Sequence, residues 1–242
     1  MKVLKADSGS YWSPIDWSKD SKHIIVHEYV SAANSYVYQV NVETQEKTLI
    51  AGDKNSDSVN FGLGYDRHER GFFFMTNQFS EFNQLAYKKF STGEVKVITK
   101  NINWNVSGFA MDKVGKRAAF TVNEEGYNSL YLMDLKYLTY KKVKDLPIGL
   151  IGGLTFSDDA MRLGFTLNTA ESPSDSYVLR LDRKAMRYKD LERWTFSEVG
   201  GLDTSKFAKP ELIRFESFDK RSIPAFMYKP TEKTANKKLP VI

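Results

Sequence analysis

The chain has 242 residues, 41% hydrophobic and 14% aromatic, enough for a sizeable core, and a net charge of +5. It contains no cysteine, which excludes a disulfide, a thiol nucleophile and any cysteine-held zinc or iron–sulfur site. No stretch approaches the about 18 apolar residues of a membrane-crossing helix, and Met1-Lys2-Val3-Leu4-Lys5-Ala6-Asp7 lacks the apolar core of a secretory signal; the compartment stays open.

Four segments repeat one pattern. A large apolar residue leads at Trp17, Tyr65, Met111 and Phe156, spaced 48, 46 and 45 residues apart. A polar stretch follows each: Ser18 to Lys22, Asp66 to Arg70, Asp112 to Lys116 and Ser157 to Met161. Then comes an apolar run: Ile24-Ile25-Val26, Phe72-Phe73-Phe74, Ala118-Ala119-Phe120 and Leu163-Gly164-Phe165. About 20 residues past each lead lies an alternating segment, as in Val37 to Val42, Leu85 to Phe90, Leu130 to Leu135 and Ser176 to Leu181. A polar turn and a last short strand close each unit, at Lys47 to Ile50, Val95 to Ile98, Lys141 to Val143 and Lys189 to Leu191. Four short β-branched or aromatic stretches per unit make a four-stranded antiparallel blade. A period of about 40–50 residues is that of a propeller blade, and one such sheet must stack on neighbours to cover its faces. No long stretch carries helical three-four spacing with caps at both ends. The pattern predicts an all-β fold with blades over 10–52, 58–99, 104–146 and 149–197.

After Phe196 the pattern changes. Val199 to Ser205 reads as a linker. Glu211 to Phe218, the turn Asp219-Lys220-Arg221 and Ser222 to Pro230 read as a hairpin, with Pro224 suited to an edge strand. Thr231 to Lys238 is polar, and Leu239-Pro240-Val241-Ile242 reads as the opening of a buried strand, so we expect a C-terminal truncation. Residues 1–179 carry 20 Lys+Arg against 21 Asp+Glu, and 180–242 carry 15 against 9, so the excess is in the tail. A solvated tail is the plainer reading of this charge; docking on an acidic neighbour is the other.

Here a family resemblance enters. Ser217-Phe218-Asp219, Ile223-Pro224, Tyr228-Lys229-Pro230 and Leu239-Pro240-Val241-Ile242 resemble the junction of prolyl-oligopeptidase-family serine peptidases, with Lys220 where glycine is usual. The turns after Trp17 and Phe156 resemble that family's aromatic-Ser-Pro-Asp-Gly-Lys blade turns without the proline, and Glu28 to Tyr36 is similar to bacterial members. The resemblance implies an N-terminal β-propeller leading into an α/β-hydrolase domain. Propellers of the family have seven or eight blades, so four would form an open arc. It divides the chain into partial propeller (1–197), linker (198–210) and the start of a truncated hydrolase domain (211–242).

The chemistry such an enzyme needs is absent from this stretch. No Gly-x-Ser-x-Gly elbow is present, and Ser107-Gly108 lacks the first glycine. No catalytic, cofactor-binding or metal-ligating residue is therefore assigned. His23 and His27, four apart on one strand, lie roughly 13 Å apart, too far for one metal. His68 falls in a turn, and strand-edge or turn roles are the plainer reading for all three. Glu124-Glu125 and Asp158-Asp159 read as solvated hairpin carboxylates, without the further oxygen ligands calcium requires. Phe61-Gly62-Leu63-Gly64-Tyr65 enters a strand, not a helix, and is no nucleotide fingerprint. The recurring aromatics read as inter-blade packing rather than a stacking platform. Two functions follow. One is the non-catalytic propeller of a prolyl-oligopeptidase-like serine peptidase, shielding the active site and admitting small peptides, its partner being the hydrolase domain. The other is a stand-alone TolB-like propeller binding proteins at its rim. Neither calls for a cofactor, a nucleic acid or a membrane.

Overall fold

Alternating apolar stretches separated by tight polar turns leave each repeat one solution, a four-stranded meander. The computed structural model describes residues 9–230. The expectations for Met1 to Asp7 and for Thr231 to Ile242 lie outside them. The first blade is β1 (Tyr11–Trp17), β2 (His23–Tyr29), β3 (Ser35–Asn41) and β4 (Lys47–Ala51). The second is β5 (Asn60–Tyr65), β6 (Gly71–Thr76), β7 (Gln84–Lys89) and β8 (Val95–Val97). The third is β9 (Asn105–Met111), β10 (Arg117–Glu124), β11 (Tyr127–Asp134) and β12 (Thr139–Lys142), and the fourth is β13 (Leu150–Phe156), β14 (Arg162–Asn168), β15 (Asp175–Leu181) and β16 (Tyr188–Arg193). Each sheet keeps chain order and antiparallel pairing. A two-stranded ribbon, β17 (Pro210–Glu216) with β18 (Ser222–Tyr228), follows a single 3-10 turn at Thr204–Lys206.

The blades stack in chain order as an arc. β5 lies against β1, β2 and β3; β9 meets β7; β13 meets β9, β10 and β11. Each junction has its own core. Ile25, Val37 and Ile50 meet Phe72, Phe74 and Ala86; Phe73, Leu85 and Ile98 meet Ala118, Phe120 and Met133; Leu130 and Leu132 meet Leu163, Phe165 and Leu179. The outer face of the first blade is apolar, with Ile24, Val26, Tyr36, Tyr38 and Val40 beside Trp12. The outer face of the fourth is polar, where Arg180 pairs with Asp190 and, at 3.0 Å, with Glu192. Among the described residues no core cluster joins the first sheet to the fourth.

The lead residues Trp17, Tyr65, Met111 and Phe156 are each the last residue of a blade's first strand. The turn after each contains one residue with left-handed backbone: Ser21, Glu69, Gly115 and Ala160, with φ of 58°, 54°, 65° and 55°. These turns also grip one another across blades. Lys19 Nζ donates to the Arg67 carbonyl at 2.5 Å, Arg67 donates to the Val114 carbonyl, and Lys113 pairs with Asp158 at 2.5 Å. Only Gly115 has the residue type that left-handed backbone favours. Gly115→Ala should therefore destabilise the chain by about 1–2 kcal/mol, because the added Cβ also meets Arg67 side-chain carbons at 2.5 Å. Ser21→Gly should be neutral or slightly stabilising, since relief at φ offsets the added freedom of the unfolded chain. Paired urea melts of the two variants check this.

Candidate docking surface

The connections between the second and third strands of the blades share one rim, and each holds the segment entering the next blade. Ser35 Oγ donates to the Asn60 carbonyl at 2.8 Å, Asn105 Oδ1 accepts the Asn83 N–H at 2.8 Å, and Asn128 Oδ1 accepts the Ile151 N–H at 2.8 Å. In the fourth blade Asp175 does this for the departing chain. Its buried carboxylate accepts Thr195 Oγ1 at 2.8 Å, Ser197 N and Oγ at 2.9 Å, Ser172 Oγ at 2.7 Å and Arg193 Nη2 at 2.5 Å. The Ser172 hydroxyl first, then Thr195 and Ser197, hold the Asp175 carboxyl far below the usual carboxylate range.

The ribbon meets this rim at two places. Lys209 pairs with Glu171 of the β14–β15 connection at 3.0 Å, beside a cavity of about 440 Å³ lined by Ile148, Glu171, Tyr177, Arg193, Lys209 and Pro210. Arg214 pairs with Glu125 in the β10–β11 turn, and Phe226 sits over Gly126 of the same turn. Cross-strand pairing of Leu212 with Phe226 and of Phe215 with Ile223 puts these two pairs on opposite faces. One face, with Leu212, Arg214 and Phe226, turns to the third blade. The other carries Ile213, Phe215, Ile223, Ala225 and Met227, and Phe215 is 53% exposed. The expected hairpin is thus present, and it touches the blade stack through Lys209, Arg214 and Phe226.

Other residues singled out in the sequence are dispersed. His27 lies on β2, an inner strand, buried against the Phe61 ring at 4.8 Å, so it is not an edge residue. Burial pushes its pKa down. His23 begins the same strand, and His68 lies in the second lead turn. Glu124 is not solvated. Its carboxylate accepts Ser129 Oγ at 2.7 Å and Tyr131 Oη at 2.6 Å, and pairs with Lys142. Burial alone would raise its pKa, but those hydrogen bonds together outweigh it and hold it below its ordinary value. Asp158 and Asp159 are exposed, as expected of a turn. Phe61 to Tyr65 lie within β5, bulged between Gly62 and Gly64, and Ser107 sits on β9. Among the described residues no three His, Cys, Asp or Glu side chains group as metal ligands. The sequence reading does not single out the buried Asp175 and Asn60, because each is a polar residue opening a strand whose cross-blade or exit-segment partners are about 20 or more residues away. The Glu125-Gly126 pair between two alternating runs was a legible two-residue hairpin signal.

Stacked four-stranded meanders of this kind define a β-propeller region. The chain belongs to the family of the dipeptidyl peptidase IV (DPP IV) N-terminal region, matched over residues 2–174, the propeller portion of prolyl-oligopeptidase-family proteins. Among solved structures it is similar to prolyl oligopeptidase B from Galerina marginata bound to a 25mer macrocyclization substrate, with TM-score 0.73 and 12% identity over 93% of this chain and 31% of that one. It is also similar to one of two prolyl endopeptidases studied for inter-domain dynamics in catalysis and specificity, with TM-score 0.71 and 13% identity over 91% and 31%. TolB from Acinetobacter baumannii gives TM-score 0.55 and 15% identity over 80% and 46%. The chain therefore spans about a third of the length of the prolyl peptidases it resembles. No curated protein matches it.

Proposed function

We propose that this chain is the non-catalytic propeller portion of a prolyl-oligopeptidase-like serine peptidase, covering the active site of an adjoining α/β-hydrolase domain and limiting access to small peptides. The observation that carries this reading is the ribbon. It leaves the fourth blade under the hold of Asp175, rests one face on the rim, and carries exposed Phe215 with half-buried Ile213, Ile223, Ala225 and Met227 on the other. An apolar face of this kind on a two-stranded ribbon needs a cover, and the start of a hydrolase domain supplies one. On this reading 1–197 is propeller, 198–210 linker and 211–242 the first part of that domain. A TolB-like binding propeller accounts for the blades but gives the ribbon no role.

Purified 1–242 should turn over no chromogenic peptide ester or amide. The protein carrying the hydrolase domain should do so, with inhibition by a serine-directed reagent. That domain should also raise solubility in light scattering and raise the melting temperature. Equal behaviour of 1–197, 1–242 and the longer protein in both measurements would overturn the reading, as would serine-dependent turnover by 1–242.

A further inference from the structure

We propose that the β10–β11 turn of the third blade is a salt-releasable clasp that fixes the C-terminal ribbon at one angle to the propeller. The turn closes on the ribbon through Glu125 on Arg214 and through Phe226 seated on Gly126, and Glu171 on Lys209 ties the ribbon's base.

Four observations converge on it. First, β10 and β11 pair over eight residues each and are joined by two residues only, so this turn projects as a stiff arm. Second, Glu125 stands at the first central position of this two-residue turn, whose geometry requires its φ of 57°. Its carboxylate is turned to the ribbon, leaving the side chain only 14% exposed at the tip of a turn. Third, Gly126 gives the Phe226 ring its seat. A Cβ there would lie 3.1 Å from Phe226 Cε2, so a larger residue would push the ring off its seat by a few tenths of an ångström. Fourth, the charges are complementary. Both rim partners are acidic and both ribbon partners basic, which gives the tail's excess of Lys and Arg a specific use.

The clasp is built to open. Arg214, Lys209 and Glu171 remain substantially exposed, and ion pairs in contact with water are weak and screened by salt. The apolar contact is a single ring on a glycine. Two populations of the ribbon, docked and released, therefore lie close in free energy, and ionic strength shifts the balance between them. The consequence rests on the proposed function. Whatever follows the ribbon inherits its angle, so the clasp sets how closely the next domain sits on the propeller.

The test uses the whole chain. Because it has no cysteine, Phe218→Cys at the ribbon tip and Lys141→Cys on the third blade accept spin labels without competition, and both parent side chains are exposed. The distance distribution should be narrow at ~0.01 M salt and broaden at ~1 M, where the Debye length falls from about 30 to 3 Å. Glu125→Gln should lower the ratio of docked to released ribbon about two- to fivefold. Glu125→Arg combined with Arg214→Glu should restore it. A broad distribution at low salt, a Glu125→Gln variant as narrow as the parent, or a charge swap that fails to restore it overturns the clasp. Absence of peptidase activity in the longer protein would instead sink the functional reading and leave this measurement standing.

Discussion

Phe120→Ala should lower the unfolding free energy by about 3–5 kcal/mol, the cost of emptying a buried aromatic site that cannot collapse. Phe120 is fully buried between the second and third blades. Its ring stacks on Tyr131 at 5.0 Å and meets Tyr140 edge-on at 5.4 Å. Those two rings are 5.7 Å apart and sit on strands fixed by the meander, so neither can swing in to fill the gap. The loss should appear as a lower urea midpoint, with hydrogen exchange accelerated first in β6 and β10. A cost below ~1 kcal/mol would mean that the junction between these blades is loosely packed.

Asp175→Asn should be the most damaging substitution on the rim, and its effect should depend on pH. The carboxylate gathers hydrogen bonds from Ser172, Thr195 and Ser197, and Arg193 pairs with it. An asparagine keeps the shape but turns an amide donor toward groups that already donate. Because the native state depresses this carboxyl, its contribution is fully present above the unfolded value of about 3.9 and is lost as pH falls below it. Parent and variant should therefore differ most in denaturant midpoint near neutrality, and the gap should close progressively below about pH 4. A gap unchanged down to about pH 2 would show that the charge is not what holds the exit strand.

The repeat was legible because it is a backbone pattern. Lead residues end strands, and the spacing of 48, 46 and 45 residues recurs in the left-handed positions Ser21, Glu69, Gly115 and Ala160. Strand type and order follow from alternation and turn residues, which are local. The rim was not legible. Asp175, Asn60 and Ser35 open strands and act through partners about 20–25 residues away, and different residue types do this work from blade to blade, so nothing in the repeat aligns them. Glu124 and Glu125 looked like solvent carboxylates because their cover, Tyr131, Lys142 and Arg214, comes from other strands. His27 looked like an edge residue because a strand's place within a sheet is not written in its own residues.

The lead turns give the stack a head and a tail. Each of the first three carries a cation that reaches forward, from Lys19 to Arg67, from Arg67 to Val114 and from Lys113 to Asp158. The fourth, Ser157-Asp158-Asp159-Ala160-Met161, receives but has no cation to extend. Among the described blades the junction cores couple adjacent units, as in a one-dimensional array. A defect in one blade is therefore felt by its immediate neighbours and fades beyond them. The forward sense of the grips gives the stack a direction, and among the described residues the fourth lead turn is where this series of cation grips stops.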